Sequence, residues 1–138
     1  MKSSPVVHFE MPAKDRKRVS EFYSKVFGWN MKQLGEDMGN YIVAQTTETD
    51  ENNMVKTPGN INGGFWQTDE ENVPPHVVIA VDDIEEATKE VEAAGGKVVG
   101  GQQGNGEPDD IPGIGIYSSF IDTEGNRVGM LQPHTPMR

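Results

Sequence analysis

Three side chains suited to acid–base or metal chemistry stand at related places in the chain. His8 and Glu10 lie in one apolar segment, His76 begins another, and each histidine precedes an aspartate (Asp15 or Asp83) by the same distance. A neutral imidazole is a common ligand for divalent metals and can act as a base near neutral pH. Residues two apart in a strand point to the same side, so Glu10 is expected beside His8. The pattern predicts His8, Glu10 and His76 as catalytic residues, with the two histidines as candidate metal ligands.

The histidines open two copies of one larger pattern. A helical segment runs between Asp15 and Gly28 in the first copy and between Asp83 and Gly96 in the second. Segments with strand character follow each helix. We therefore predict one domain over residues 1–138 that is made of two βαβββ modules, 5–70 and 75–132. The predicted strands are 6–11, 29–34, 41–46 and 61–67, then 77–81, 97–99, 114–121 and 127–132, with a loop over 100–113.

Apolar residues at helical spacing predict the buried side of each helix. On the first helix these residues are Val19, Phe22, Tyr23 and Val26. On the second they are Ile84, Ala87, Val91 and Ala94. Asp15 is expected to cap the first helix, and Asp82 or Asp83 the second, because an aspartate carboxylate accepts hydrogen bonds from the exposed amides of a first turn.

Composition excludes several classes of function. The 138 residues carry a net charge of −10, and Lys and Arg are concentrated only at residues 14–18, so nucleic-acid binding is not expected. There are no cysteines, which excludes disulfides, thiolate metal sites and a cysteine nucleophile. No apolar run reaches the roughly 18 residues that a membrane span requires, and the first residues do not read as a signal peptide. We therefore expect no membrane partner and a cytoplasmic location.

Several segments together resemble the vicinal oxygen chelate superfamily, which includes glyoxalase I, bleomycin-resistance proteins and extradiol dioxygenases. The resemblance extends over nearly the whole chain. The segments that carry it are His8-Phe9-Glu10-Met11-Pro12, Phe22-Tyr23-Ser24-Lys25-Val26-Phe27-Gly28-Trp29, Ile61-Asn62-Gly63-Gly64-Phe65, Val81-Asp82-Asp83-Ile84 and Asp122-Thr123-Glu124-Gly125-Asn126. It implies an α+β fold of two βαβββ modules that form a half-barrel cleft.

In metal-using members of that superfamily, each module supplies two ligands to a divalent metal such as Zn, Ni, Fe or Mn. The resemblance places the first and third ligands on His8 and His76. It places the second and fourth on or near Gly63 and Gly129, which have no side chain to donate. Glu10 is a candidate third ligand, because a catalytic metal usually needs about three protein ligands. The resemblance thus implies either a metal-dependent enzyme, such as a lyase, isomerase or dioxygenase, or a protein without a metal.

The metal-free alternative is a protein that binds a small oxygenated or aromatic molecule in the cleft, as resistance proteins bind drugs. Whether such a protein is an enzyme stays open, as does a purely regulatory role. Strand alternation predicts one inward face lined by His8 and Glu10, by Gly63, Phe65 and Gln67, by His76 and Val78, and by Gly129 and Leu131. Tyr117, Tyr41 and Trp66 are further candidates for stacking, although the sequence does not fix which way they point. A homodimer is expected because the end strands of open sheets need to be covered.

Overall fold

The computed structural model describes residues 2–134, which divide into two compact units. One unit, the N-terminal unit, comprises residues 8–75. The other, the C-terminal unit, comprises residues 76–134 together with the first residues of the chain, up to Val7. Each unit contains one α-helix and its own strands, so the architecture is the predicted α+β class.

The N-terminal unit has a single helix and four strands. The elements are β1 (Val6–Ala13), α1 (Arg16–Phe27), β2 (Asn30–Gln33), a 3₁₀ turn (Glu36–Met38), β3 (Ile42–Gln45) and β4 (Asn62–Gln67). The strand order is β2-β3-β4-β1, in which β1 and β4 run parallel and the other pairs are antiparallel. This unit therefore has the predicted βαβββ order.

Helix α1 begins and ends where the sequence predicts. The Asp15 side chain accepts a hydrogen bond from the Arg18 amide at 3.0 Å, which satisfies one of the unpaired amides of the first turn. Gly28 ends the helix in the left-handed conformation, with φ of 71°. The helix covers a core in which Ala13, Ile42, Ala44 and Phe65 are buried.

The buried side of α1 is narrower than predicted. Val19 and Tyr23 pack against the core, but Phe22 and Val26 are 53% and 55% exposed. The prediction that all four residues are buried is wrong for these two. The sheet contacts the side of the helix that carries Val19, Ser20 and Tyr23, and Phe22 and Val26 lie on its flank.

The C-terminal unit repeats this plan with one additional short strand. Its elements are β5 (His76–Ala80), α2 (Ile84–Ala93), β6 (Lys97–Val98), β7 (Asp109–Ile111), β8 (Gly115–Ile121) and β9 (Arg127–Pro133). The order is β5-β9-β8-β6, and β7 also pairs with β8. Strands β5 and β9 are parallel, as β1 and β4 are. The sequence analysis missed β7, which lies within the predicted loop 100–113.

The core of the C-terminal unit lies between α2 and one face of its strands. Val81, Ile84 and Met130 are buried there, and Ile79, Ala87, Val91, Ile116 and Phe120 pack around them. Asp83 caps α2 by accepting hydrogen bonds from the amides of Glu85 and Glu86 at 3.0 and 3.1 Å. Within residues 2–134, neither α-helix is long and apolar enough to cross a membrane.

Candidate functional site

The N-terminal unit presents His8 and Glu10 on the face of its sheet that does not carry the helix. Phe9 and Met11 pack into the core beneath α1. Successive strand residues point to opposite sides, so His8 and Glu10 point away from that core. The parallel register places Glu10 opposite Gly64 of β4. The prediction that His8 and Glu10 share a face is consistent with this arrangement.

A tyrosine completes this group. The Tyr41 hydroxyl donates a hydrogen bond to a carboxylate oxygen of Glu10 at 2.8 Å. To reach Glu10, the Tyr41 ring lies directly over Gly64, in the space that a side chain at position 64 would need. We call His8, Glu10 and Tyr41 the acid–base cluster. A carboxylate held by a phenol, beside an imidazole, can accept or deliver a proton at a bound ligand.

The surroundings of His8 shift its protonation equilibrium. Burial lowers the pKa of the His8 imidazole below its usual 6.5, and the negative charge of Glu10 opposes this in part. Burial penalises the charged form because the protein solvates an ion less well than water does. His8 is therefore neutral at pH 7, with one ring nitrogen able to donate and the other able to accept a hydrogen bond.

Stability should consequently fall in mild acid because of His8. Since its pKa is lower in the folded chain than in the unfolded chain, the unfolded chain takes up a proton first as the pH drops below about 6.5. The free energy of unfolding then decreases until the lower folded-state pKa is passed. His8→Gln should remove this part of the pH dependence, measured as urea denaturation of both proteins at pH 7.5 and 5.5. Equal losses in both proteins would contradict this assignment.

The corresponding face of the C-terminal unit is more apolar. His76 is 8% exposed and lies on the same side of β5 as Val78, since the two are two residues apart in the strand and Ile79, the residue after Val78, packs toward α2. Val78 pairs with Gly129 of β9. A Cβ atom at Gly129 would lie 2.8 Å from the Tyr117 hydroxyl oxygen and 3.1 Å from a Val78 methyl carbon. His76, Val78 and Gly129, which the sequence predicts on one face with Leu131, therefore point to the same side within this unit. Tyr117, whose direction the sequence does not fix, lies on that side as well.

Three residues predicted for the binding face lie elsewhere. Phe65 is 2% exposed in the core beneath α1. A Cβ atom at Gly63 would point at the Phe9 ring, 2.5 Å from its carbons, so Gly63 also faces the helix side. Gln67 is exposed at the end of β4, paired with Ala13. The prediction that these residues line a face with His8 is wrong, because β4 turns Gly64, not Gly63, toward that face.

Gly64 in the N-terminal unit and Gly129 in the C-terminal unit occupy equivalent positions. Gly64 pairs with Glu10 on one side, and Gly129 pairs with Val78 in the same way. A tyrosine covers each glycine, Tyr41 in one unit and Tyr117 in the other. The sequence analysis named Tyr41 only for stacking. Tyr41 stands two residues before the residue that pairs with Gly64, and Tyr117 stands two residues before the residue that pairs with Gly129. This equivalent placement was the signal that Tyr41 belongs to the same face as Gly64.

The donors present do not fit the metal centre of the superfamily. The resemblance implies ligands on or near Gly63 and Gly129. On the faces opposite the helices, β4 and β9 carry Gly64 and Gly129, and a phenol ring occupies the space beside each. The N-terminal unit then offers His8 and Glu10, and the C-terminal unit offers His76. Within residues 2–134, no three His, Asp or Glu side chains are grouped so that they could hold a metal ion.

Comparison with known proteins finds a family model and solved structures that match this chain. The family model described as a glyoxalase-like domain matches residues 7–130. A search of the curated proteins gives no match. Among solved structures, a hypothetical protein from Bacillus halodurans C-125 is similar at 17% identity and a TM-score of 0.63, over 99% of both chains.

Two methylmalonyl-CoA epimerases are also structurally similar. A variant of the Streptomyces coelicolor enzyme, solved in complex with 2-nitronate-propionyl-CoA, is 13% identical with a TM-score of 0.67 over 99% of both chains. The Mycobacterium tuberculosis enzyme is 14% identical with a TM-score of 0.62, over 98% of this chain and 93% of its own. At such identities the likeness shows the fold alone. With the family model spanning most of the sequence, this chain belongs to the glyoxalase-like domain family of the vicinal oxygen chelate superfamily.

Proposed function

We propose that this protein binds a small oxygenated or aromatic molecule against the acid–base cluster of the N-terminal unit. The observation that carries the proposal is the hydrogen bond from Tyr41 to Glu10 across Gly64. It fixes a carboxylate, next to a neutral imidazole, on the sheet face opposite the helix. A ligand hydroxyl could donate to Glu10, and a ligand carbonyl could accept from His8.

The proposal assigns recognition and any proton transfer to Glu10, with Tyr41 as the residue that positions it. Holding the carboxylate in one orientation reduces the ordering that a ligand would otherwise have to impose. His8 supplies a neutral group that titrates below pH 6.5. A ligand with adjacent oxygens would suit both groups, since Glu10 and His8 are neighbours on one side of β1.

A thermal-shift screen tests this proposal directly. The panel consists of small hydroxy acids, diketones, phenols and catechols, and it includes acyl-CoA esters because one neighbour of similar fold holds an acyl-CoA analogue. A ligand that binds the native state raises the Tm. We expect Glu10→Gln to weaken the affinity of a hit by about tenfold to a hundredfold, the range for losing a hydrogen bond to a charged group.

Tyr41→Phe and Glu21→Gln complete the design. Tyr41→Phe keeps the ring but releases Glu10, so it should weaken the same ligand by a smaller factor. Glu21 carries an exposed carboxylate on α1, which lies on the other side of the sheet, so Glu21→Gln should leave the affinity unchanged. A hit whose affinity is the same in all three variants binds elsewhere and refutes the proposal.

We also propose that the protein is a homodimer. Strand β2 ends the strand order of its unit, and Phe22, Val26 and Phe27 on α1 are each more than half exposed. Contact with a second copy would shield such an edge or such apolar surface from water. Light scattering at several concentrations should give twice the mass of the chain. A single-chain mass at every concentration would refute this.

A further inference from the structure

A tyrosine ring fills the place of a side chain in both units, and this bears on metal chemistry. The backbone at Gly64 and Gly129 is not in the left-handed region, so nothing in the main chain requires glycine there. The tyrosine ring beside each glycine is what leaves no room for a side chain there. A Cβ atom at position 64 would overlap the Tyr41 phenol, and one at position 129 would lie 2.8 Å from the Tyr117 hydroxyl oxygen.

The resemblance to the superfamily implies metal ligands on or near these positions of β4 and β9. We infer that the tyrosines take over these two positions, so that this chain works without a metal. The same geometry leaves a latent metal site in the N-terminal unit, which lacks a donor at position 64 and has the Tyr41 ring in the space that such a donor would need. The inference concerns the residues around Gly64 and Gly129, and it does not depend on which ligand the protein binds.

The latent site follows from the register of β1 and β4. Glu10 is the direct partner of Gly64, and neighbouring strands lie about 4.8 Å apart. A side chain at position 64 would therefore project beside Glu10, with His8 one step further along the same face. A histidine at position 64 would bring two imidazoles and one carboxylate together, a donor set typical of zinc sites that keep an open position.

The variant Tyr41→Ala/Gly64→His tests this by removing the ring and adding the donor. The probes are Zn²⁺, Ni²⁺ and Co²⁺ alone, added to chelator-treated protein and followed by thermal shift and elemental analysis. For the unmodified protein we expect no stoichiometric metal and no rise in Tm. For the variant we expect about one Zn²⁺ per chain and a Tm rise of about 5 °C, because a metal that binds only the folded state stabilises it.

Two further variants decide the outcome. Adding His8→Ala to the double variant should abolish the Zn²⁺ response, which shows that the metal sits on this face. Tyr41→Ala/Gly64→Glu offers a different donor at the same place, should the histidine variant fold poorly. One equivalent of metal in the unmodified protein, lost in His8→Ala, would overturn the inference. Folded double variants that bind no metal would overturn the latent site, and neither result would bear on the ligand screen.

Discussion

Phe65→Ala is expected to destabilise the protein by about 3–5 kcal/mol, the range for truncating a buried aromatic ring. Phe65 is 2% exposed, and its ring centroid lies 5.3 Å from that of Tyr23 on α1. Ile42 and Ala44 of β3 complete its surroundings. Removing the ring would leave a cavity between the helix and the sheet. Domains of this kind are stable by only about 5–15 kcal/mol, so the loss is a large share of the total.

Phe22→Ala is the matched control, because it also removes a phenylalanine ring that lies against Tyr23. The Phe22 ring lies 5.1 Å from Tyr23, edge to face, yet Phe22 is 53% exposed. We expect a loss of less than about 1 kcal/mol, since little apolar surface returns to water. Urea denaturation of both variants measures the difference. If Phe65→Ala kept its stability, the placement of Phe65 in the core would be wrong.

The sequence was sufficient for the fold because the repeat gives redundant signals. Helix α1 is bounded by Asp15 and Gly28, whose capping roles follow from local chemistry. The order of one helix and its flanking strands recurs in the two copies. Such signals depend on neighbouring residues or on repetition along the chain, and both can be read without a structure.

The side to which β4 turns its residues could not be predicted in this way. Gly63 and Gly64 carry no side chains, so the alternation that reveals a buried face is blank at two successive positions. Phe65 and Trp66 follow, and either aromatic ring would suit a core. Alternation that placed Gly63, Phe65 and Gln67 on the inward face was therefore wrong by one residue, which exchanges the two sides of the strand.

Tyr41 could not be placed for a related reason. It lies just before β3, where alternation has no preceding strand residue to set its direction. Its partner, Glu10, is distant in the sequence, and only the pairing of β3 with β4 and of β4 with β1 brings the two together. The core of the candidate site is therefore a product of strand register. The residue types in β1 suggested a site, but only the strand register brings Tyr41 to Glu10.

The adjacent glycines of β4 point to opposite faces of the sheet, so one added methyl group tests one face at a time. Gly63→Ala would place a Cβ atom 2.5 Å from carbons of the Phe9 ring, which lies against Trp29 with ring centroids 5.5 Å apart. Because Phe9 is held in the core, the added methyl group causes overpacking that costs about 1–3 kcal/mol. We expect the Tm to fall while the affinity of a ligand at the acid–base cluster is retained.

Gly64→Ala should give the opposite result. Its methyl group meets the far end of the Tyr41 side chain, which can rotate away at the expense of the hydrogen bond to Glu10. The expected cost in stability is about 1 kcal/mol, the usual net value of one hydrogen bond. Ligand affinity should fall as it does in Tyr41→Phe. Because both changes break the same contact, Gly64→Ala combined with Tyr41→Phe should lose little more affinity than either alone.

Denaturation and ligand titration of the two alanine variants, run side by side, measure this contrast. If both variants lost stability and kept the ligand, the tyrosine over Gly64 would be only a packing element, and the acid–base cluster would have no part in binding. If Gly63→Ala lost the ligand and Gly64→Ala kept it, the binding face would be the helix side of β4. The observed register requires the reverse, because it turns Gly64 toward Glu10 and Gly63 toward Phe9.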